Sequence, residues 1–146
     1  MPTVRDVLAS KGEPHIETIR PDASVLDAIH QMNQHKIGAL IVMTGKQVAG
    51  IFTERDVLRR VLGEERSPGA VTVGSVMTEE VICVEPGTDL EEVATIMKNR
   101  KIRHVPVCGE DGKVHGMISI GDVNAVHATN QLAQIHFLSE YIYGRV

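Results

Sequence analysis

A pattern written twice in a short chain constrains its fold more than any other feature. GIFTERDV occupies positions 50–57 and GMISIGDV positions 116–123 of the 146 residues. Both read glycine, two apolar residues, a hydroxyl residue, two variable positions, aspartate and valine. Upstream the likeness continues without a gap, with IRPDASVLDAIHQMNQHKIGALIV (19–42) over VEPGTDLEEVATIMKNRKIRHVPV (84–107). Pro21 falls on Pro86, Met32 on Met97 and Ile37 on Ile102. VRDVL (4–8) pairs with VGSVM (73–77), and one extra residue in the GEDGKVHG turn keeps Gly50 over Gly116 and Asp56 over Asp122. Self-similarity on this scale marks a repeated supersecondary unit.

Each copy reads the same way. IETI and VICV are short strands, each followed by a proline, with Ser24 or Asp89 placed to cap a helix. Val25, Ile29 and Met32 fall at helical spacing, as do Leu90, Val93 and Met97. IGALIV and HVPV are buried strands, and a turn follows at Gly45-Lys46 or GEDG. VAGIF or VHGMI is a third strand running into a second helix at Thr53 or Ser119. The unit is therefore β-α-β-β-α. Half a core of this size rarely stands alone, so two units packed face to face are expected, giving an α/β (α+β) body of approximate twofold symmetry. The expected organisation is a first repeat over 1–62, a linker over 63–72, a second repeat over 73–126 and a helical tail over 127–146. Leu132, Ile135 and Leu138 give that tail one apolar face, for docking on the body or on a partner subunit.

The repeated octapeptide has two chemical readings. Thr53-x-x-Asp56 and Ser119-x-x-Asp122 lie where a strand turns into a helix, which suits a capping box. A helix N-terminus also favours phosphate, a hydroxyl at its edge adds a donor, and a carboxylate one turn in can accept from both ribose hydroxyls. The second reading fits a nucleoside phosphate with its base lying between strands. The starts of the middle strands, IGAL and IRHV, would supply its walls.

Charge is unevenly distributed between the copies. KNRKIRH (98–104) concentrates cations at one helix-to-strand passage, where a solvated helix end is the plainer reading of Lys98 and Arg100. Arg103 stands where the first copy has Gly38, inside the strand motif, and is read as a phosphate partner. Arg55, opposite Gly121 in the second copy, is another candidate. The two clefts are thus expected to differ in charge.

Composition narrows the field. A net charge of −4 and only four aromatic residues, two Phe and two Tyr, argue against a nucleic-acid surface. The arginines of TERDVLRRVL (53–62) then belong to a solvated face or a dimer rim. No apolar run is long enough to cross a membrane, and the beginning of the chain lacks a secretory signal's apolar core, so a soluble cytoplasmic protein is expected. Cys83 and Cys108, far apart in sequence, read as reduced, buried small hydrophobes. The seven histidines show no i, i+4 pair with an intervening acid. There is no C-x-x-C, Walker-type loop or G-x-S-x-G elbow, so neither a metal site nor a catalytic residue is assigned.

These doubled motifs resemble a tandem pair of cystathionine-β-synthase-type (CBS) domains, a Bateman module, over about Val4 to Val126. The ending LSEYIYG is similar to that of small stand-alone bacterial two-CBS proteins. The resemblance implies a sensor of energy or redox state, binding AMP, ADP, ATP, NAD(H) or S-adenosylmethionine in two clefts and signalling to a protein partner. By the family pattern Asp56 and Asp122 hold ribose hydroxyls and Thr53 and Ser119 touch phosphate. Ile37, Gly38 and Ala39, with Ile102, Arg103 and His104, frame base and phosphates, and Thr78 lies near a base. Ile41, where the second copy has Pro106, is a departure that bears on the first copy's base contacts. The family's disc-like homodimer is a further expectation, and the alternative is a ligand-free CBS-pair scaffold acting through protein contacts alone.

Overall fold

The structure is a computed structural model that describes residues 2–12 and 16–143. Its order is α1 (Val4–Ser10), β1 (Thr18–Ile19), α2 (Val25–His35), β2 (Ala39–Thr44), β3 (Gln47–Thr53), α3 (Glu54–Asp56), α4 (Val73–Val76), α5 (Leu90–Arg100), β4 (His104–Cys108), β5 (Val114–Ser119) and α6 (Ile120–Tyr143). Helix α3 runs on as a wide π turn, Val57–Val61, and a 3-10 turn, Leu62–Glu64.

The mixed α/β pair of repeats is present, with matching details. In the first copy β1 lies parallel to β2, and β2 runs antiparallel to β3 with Ala39 opposite Thr53. In the second, β4 pairs β5 with His104 opposite Ser119. Each hairpin slips register at the same place, at Val42/Met43 and at Val107/Cys108. Gly45 and Gly112 sit in the hairpin turns at φ +61° and +79°, a conformation that disfavours side chains with a Cβ.

Two expectations about local structure fail. VICV forms no strand. Val84 alone bridges Val107, and IETI is reduced to Thr18–Ile19, because these edge segments gain only one partner each. Ser24 caps α2 through its side chain, whereas Asp89 stands at the N-cap of α5 without a side-chain cap bond. There the backbone of the chain's beginning intervenes, with Leu90 N–H donating to the Pro2 carbonyl at 3.0 Å.

The two copies trade their opening helices. Val4 and Val7 of α1 belong to the core of Val84, Leu90, Val93, Met97, Val105 and Ile118. Val73 and Val76 of α4 belong to that of Val25, Met32, Leu40, Phe52 and Val61. The exchange is symmetric in its hydrogen bonds. Val4 and Arg5 donate to Thr88 and Pro86, and Val73 and Gly74 donate to Ala23 and Pro21, all at 2.8–2.9 Å. Val71, at the end of the expected linker, is buried in the first core. Neither copy therefore completes a core from its own sequence.

The tail is also different from the expectation. Its helix is not separate: α6 runs unbroken from the second octapeptide to Tyr143, with residues 144–146 outside the described residues. Val123 is buried near its start, but Leu132 and Ile135 are 67% and 62% exposed and do not dock on the body; the side chain of Leu138, expected on the same face, lies outside what is described. Cys83 is exposed and Cys108 only half-buried, rather than both buried. Both are free thiols, and they are neighbours across the Val84–Val107 bridge. Burial, with a hydrogen bond that the thiol donates to Cys83, pushes Cys108 up to about 12.

Candidate functional site

The glycine that opens each octapeptide permits a close approach. A Cβ on Gly50 would stand 2.6 Å from the Thr78 carbonyl oxygen and 2.8 Å from Met77 Sδ, and one on Gly116 would stand 2.8 Å from Leu8 Cδ2. The partners are the segment that follows α4 in the first copy and helix α1 itself in the second. In the first copy that segment locks onto the strand, since Ile51 and Thr78 exchange backbone hydrogen bonds of 2.9 Å in both directions. Gly50→Ala is expected to destabilise by about 1–3 kcal/mol, because backbone must move. Gly116→Ala should cost less, because a leucine methyl can yield; thermal unfolding of the two variants measures the difference.

The hydroxyl and the aspartate form a complete capping box in both copies. Thr53 N–H donates to Asp56 Oδ2 at 3.0 Å and Asp56 N–H to Thr53 Oγ1 at 3.3 Å. The corresponding distances at Ser119 and Asp122 are 2.8 and 3.2 Å. The first helical N–H is taken as well, Glu54 donating to the Gly38 carbonyl and Ile120 to that of Arg103. The N–H groups that the sequence offered to phosphate are thus partly engaged, which leaves cationic side chains as the main anion partners. The capping reading and the cleft reading are not exclusive, since Thr53, Asp56 and Ser119 also border cavities.

Those cavities lie between the copies, with the strand starts crossed over. The first, of about 300 Å³, gathers Thr53, Arg55 and Asp56 from the first octapeptide, Thr78 from the crossing segment, and Ile102, Arg103 and His104 from the second copy. The second, of about 450 Å³, gathers Ser119 with Ile37, Gly38 and Ala39 of the first copy. Gly38 and His104 line both. Gly121 and Asp122 line neither cavity. Gly121 carries no side chain to reach one, and the Asp122 carboxylate is covered by Lys11.

Asp56 is the buried charged side chain among the described residues, 6% exposed. Its Oδ2 serves the cap, while Oδ1 accepts from the Thr78 hydroxyl at 3.3 Å and faces Arg60 Nε at 3.6 Å. Arg60 also donates to the Val76 and Met77 carbonyls and borders the cavity, while its side chain stays half-exposed, so the solvated face or dimer rim expected of it is also a cleft edge. Arg55 reaches the Lys101 carbonyl of the other copy at 3.1 Å. Arg103 is exposed at the bend before β4, not within the buried strand, and this lets its guanidinium border the cavity. Arg59, Arg60 and Glu80 also border it but were not singled out from sequence. Spacing alone could have suggested Arg60, four residues after Asp56 on one helix face. In all, Arg55, Arg59, Arg60, Lys101 and Arg103 outnumber the carboxylates of Glu54, Asp56 and Glu80.

His104, between the cavities, has its pKa lowered. Burial is the main cause; Glu54 and Asp122 oppose it, while Arg103 and Lys11 reinforce it. A histidine that resists protonation when folded binds fewer protons than in the unfolded chain once the pH drops below about 6.5. Its contribution to stability is present above that pH and is lost as pH falls toward the folded pKa. Melting temperatures from pH 7 to 5 are expected to fall more steeply for the wild type than for His104→Gln.

The sequence pattern of the family described as CBS domain matches residues 4–63 and again 73–127. The chain belongs to the CBS-domain family. It is 39% identical over 97% of its length to the CBS domain-containing protein CBSX3, mitochondrial, of Arabidopsis thaliana, covering 72% of that protein. A candidate signal-transduction protein with CBS domains from Burkholderia ambifaria has the same fold at a TM-score of 0.85 and 39% identity, over 89% of this chain and 96% of that one. Inosine-5'-monophosphate dehydrogenase of Korarchaeum cryptofilum is 35% identical over 73% of this chain, but the match spans only 21% of the enzyme. No helix among the described residues is long and apolar enough to cross a membrane, and they contain no group of three or more potential metal ligands.

Proposed function

We propose that this CBS pair is a regulatory module that binds an adenine nucleotide in its first cleft and reports the binding to a protein partner. One observation carries the reading. A buried carboxylate, two hydroxyls and an excess of cations from both copies converge on one cavity of about 300 Å³, the lower end of ligand-site sizes. Asp56 is the ribose anchor and Thr53 a phosphate contact. Thr78 and Ile102 lie beside the base, and Arg103 and Arg55 take phosphate charge. A ligand there touches both copies, so it can bias their relative arrangement by its differential affinity for the two states. AMP, ADP, ATP, NAD(H) and S-adenosylmethionine are the ligands to compare. The signal-transduction description of the Burkholderia relative is in keeping with a regulatory, non-catalytic role. Leu58, Leu62, Leu132 and Ile135, all exposed, are the residues we assign to a homodimer contact.

Thermal unfolding with each adenine ligand and with GMP tests the reading. A ligand at a hundredfold its dissociation constant adds ~2.7 kcal/mol, a shift of roughly 5–10 °C for a chain of this size. A shift with an adenine ligand and none with GMP supports it. No shift with any ligand, on protein freed of bound nucleotide, favours a scaffold. The complete capping boxes are the observation behind that second reading, since they account for both hydroxyl–aspartate pairs without a ligand.

A further inference from the structure

The second cleft contains a cation for which the first has no counterpart in position. Helix α1 has seven residues where α4 has four, and the longer helix carries Lys11 across to the second octapeptide. Lys11 Nζ donates to Asp122 Oδ2 at 2.9 Å and to the Met117 carbonyl at 3.0 Å. Met117 corresponds to Ile51, whose carbonyl takes the Thr78 backbone N–H instead. The lysine ammonium thus occupies the place of a backbone pairing and lies against the carboxylate that the family pattern assigns to ribose. Lys11 lines the cavity and Asp122 does not.

The first cleft handles its carboxylate differently. Arg60 approaches Asp56 at 3.6 Å but comes from the same helix and is tied to two backbone carbonyls. Its counterpart in the second copy is Val126, so Asp122 draws its cation from the other copy. Lys11 makes a direct hydrogen bond to its carboxylate at 2.9 Å, whereas Arg60 stands 3.6 Å from Asp56 and spends its N–H groups on two carbonyls.

We propose that Lys11 makes the second cleft selective for phosphate-bearing ligands over nucleosides. The proposal rests on the nucleotide reading given above. A ribose that takes up Asp122 must displace the ammonium. A nucleoside leaves that ammonium the Met117 carbonyl and water but no anion, whereas a nucleotide offers it a phosphate oxygen while the ribose hydroxyls satisfy the carboxylate. Lys36, also lining this cavity, adds to the attraction for phosphate but does not touch Asp122, so it does not supply the discrimination.

The experiment is isothermal titration of AMP and of adenosine into Asp56→Asn, where the first cleft loses its ribose carboxylate but keeps a capping acceptor, and into Asp56→Asn/Lys11→Met. In the first protein AMP is expected to bind at least tenfold tighter than adenosine. In the second the ratio should fall about tenfold, adenosine gaining and AMP losing affinity, and the change should vanish when Asp122→Asn is added. Lys11→Met with Asp56 intact, fitted as two sites, repeats the reading on an untouched first cleft. An unchanged ratio with AMP binding intact overturns the role of Lys11 and leaves the nucleotide reading standing. Loss of AMP binding in Asp56→Asn that Lys11→Met does not alter, while the wild type binds, also overturns it. Failure of the wild type to bind AMP overturns both.

Discussion

Asp56→Ala is expected to weaken adenine-nucleotide binding ten- to a hundredfold and to lower stability at the same time. A hydrogen bond to a charged group is worth about 1.5–3 kcal/mol, and the carboxylate would offer one to each ribose hydroxyl. Loss of the capping box adds about 0.5–2 kcal/mol of destabilisation, independent of ligand. The two effects separate experimentally. Calorimetric titration gives the affinity loss, while unfolding without ligand gives the cap. Asp56→Asn retains an acceptor for the Thr53 N–H and should recover most of the stability but little of the affinity. If Asp56→Ala loses stability while its affinity is that of the wild type, Asp56 is a cap and nothing more.

Removing residues 2–10 is the second change with a large expected effect, and its location is its diagnostic feature. The deletion strips Val4 and Val7 from the second copy's core and the α1 backbone from residues 86–90. Burying a valine contributes about 1.5–3 kcal/mol, so the loss is about 3–6 kcal/mol. Hydrogen exchange should show lost protection in α5, β4 and β5, far along the chain from the cut, with α2 and β2 least affected. Faster exchange confined to residues next to the deletion would contradict the helix exchange. Lys11 loses its placement in the same variant, so nucleotide selectivity of the second cleft should relax together with that core.

The sequence alone determined the repeat, and with it the architecture. Apolar residues at period 3.6 in VLDAIHQM and LEEVATIM, and the hairpin turns at Gly45 and Gly112, are local signals that packing only reinforced. The octapeptide residues were legible for the same reason, since a hydroxyl three residues before an acid at a strand-to-helix junction acts within its own turn. VICV shrank to one bridge because only Val84 pairs with β4, and the extent of pairing depends on neighbours that no local pattern specifies. The tail's continuity with α6 was hidden because the repeat ends at about Val126 while the helix does not.

Only the tertiary structure decided which copy each opening helix completes. VRDVL and VGSVM have the same apolar pattern and would fit either core by composition, so the choice lies in backbone contacts such as Val4 to Thr88 and Val73 to Ala23. The same crossing set the strand start of one copy beside the octapeptide of the other. It set Arg60 against the Val76 and Met77 carbonyls and carried Lys11 to Asp122, 111 residues away in sequence. Periodicity records which face of an element is apolar. Which distant charge meets which carboxylate is fixed by how the two copies close on each other, and there the two clefts cease to be equivalent.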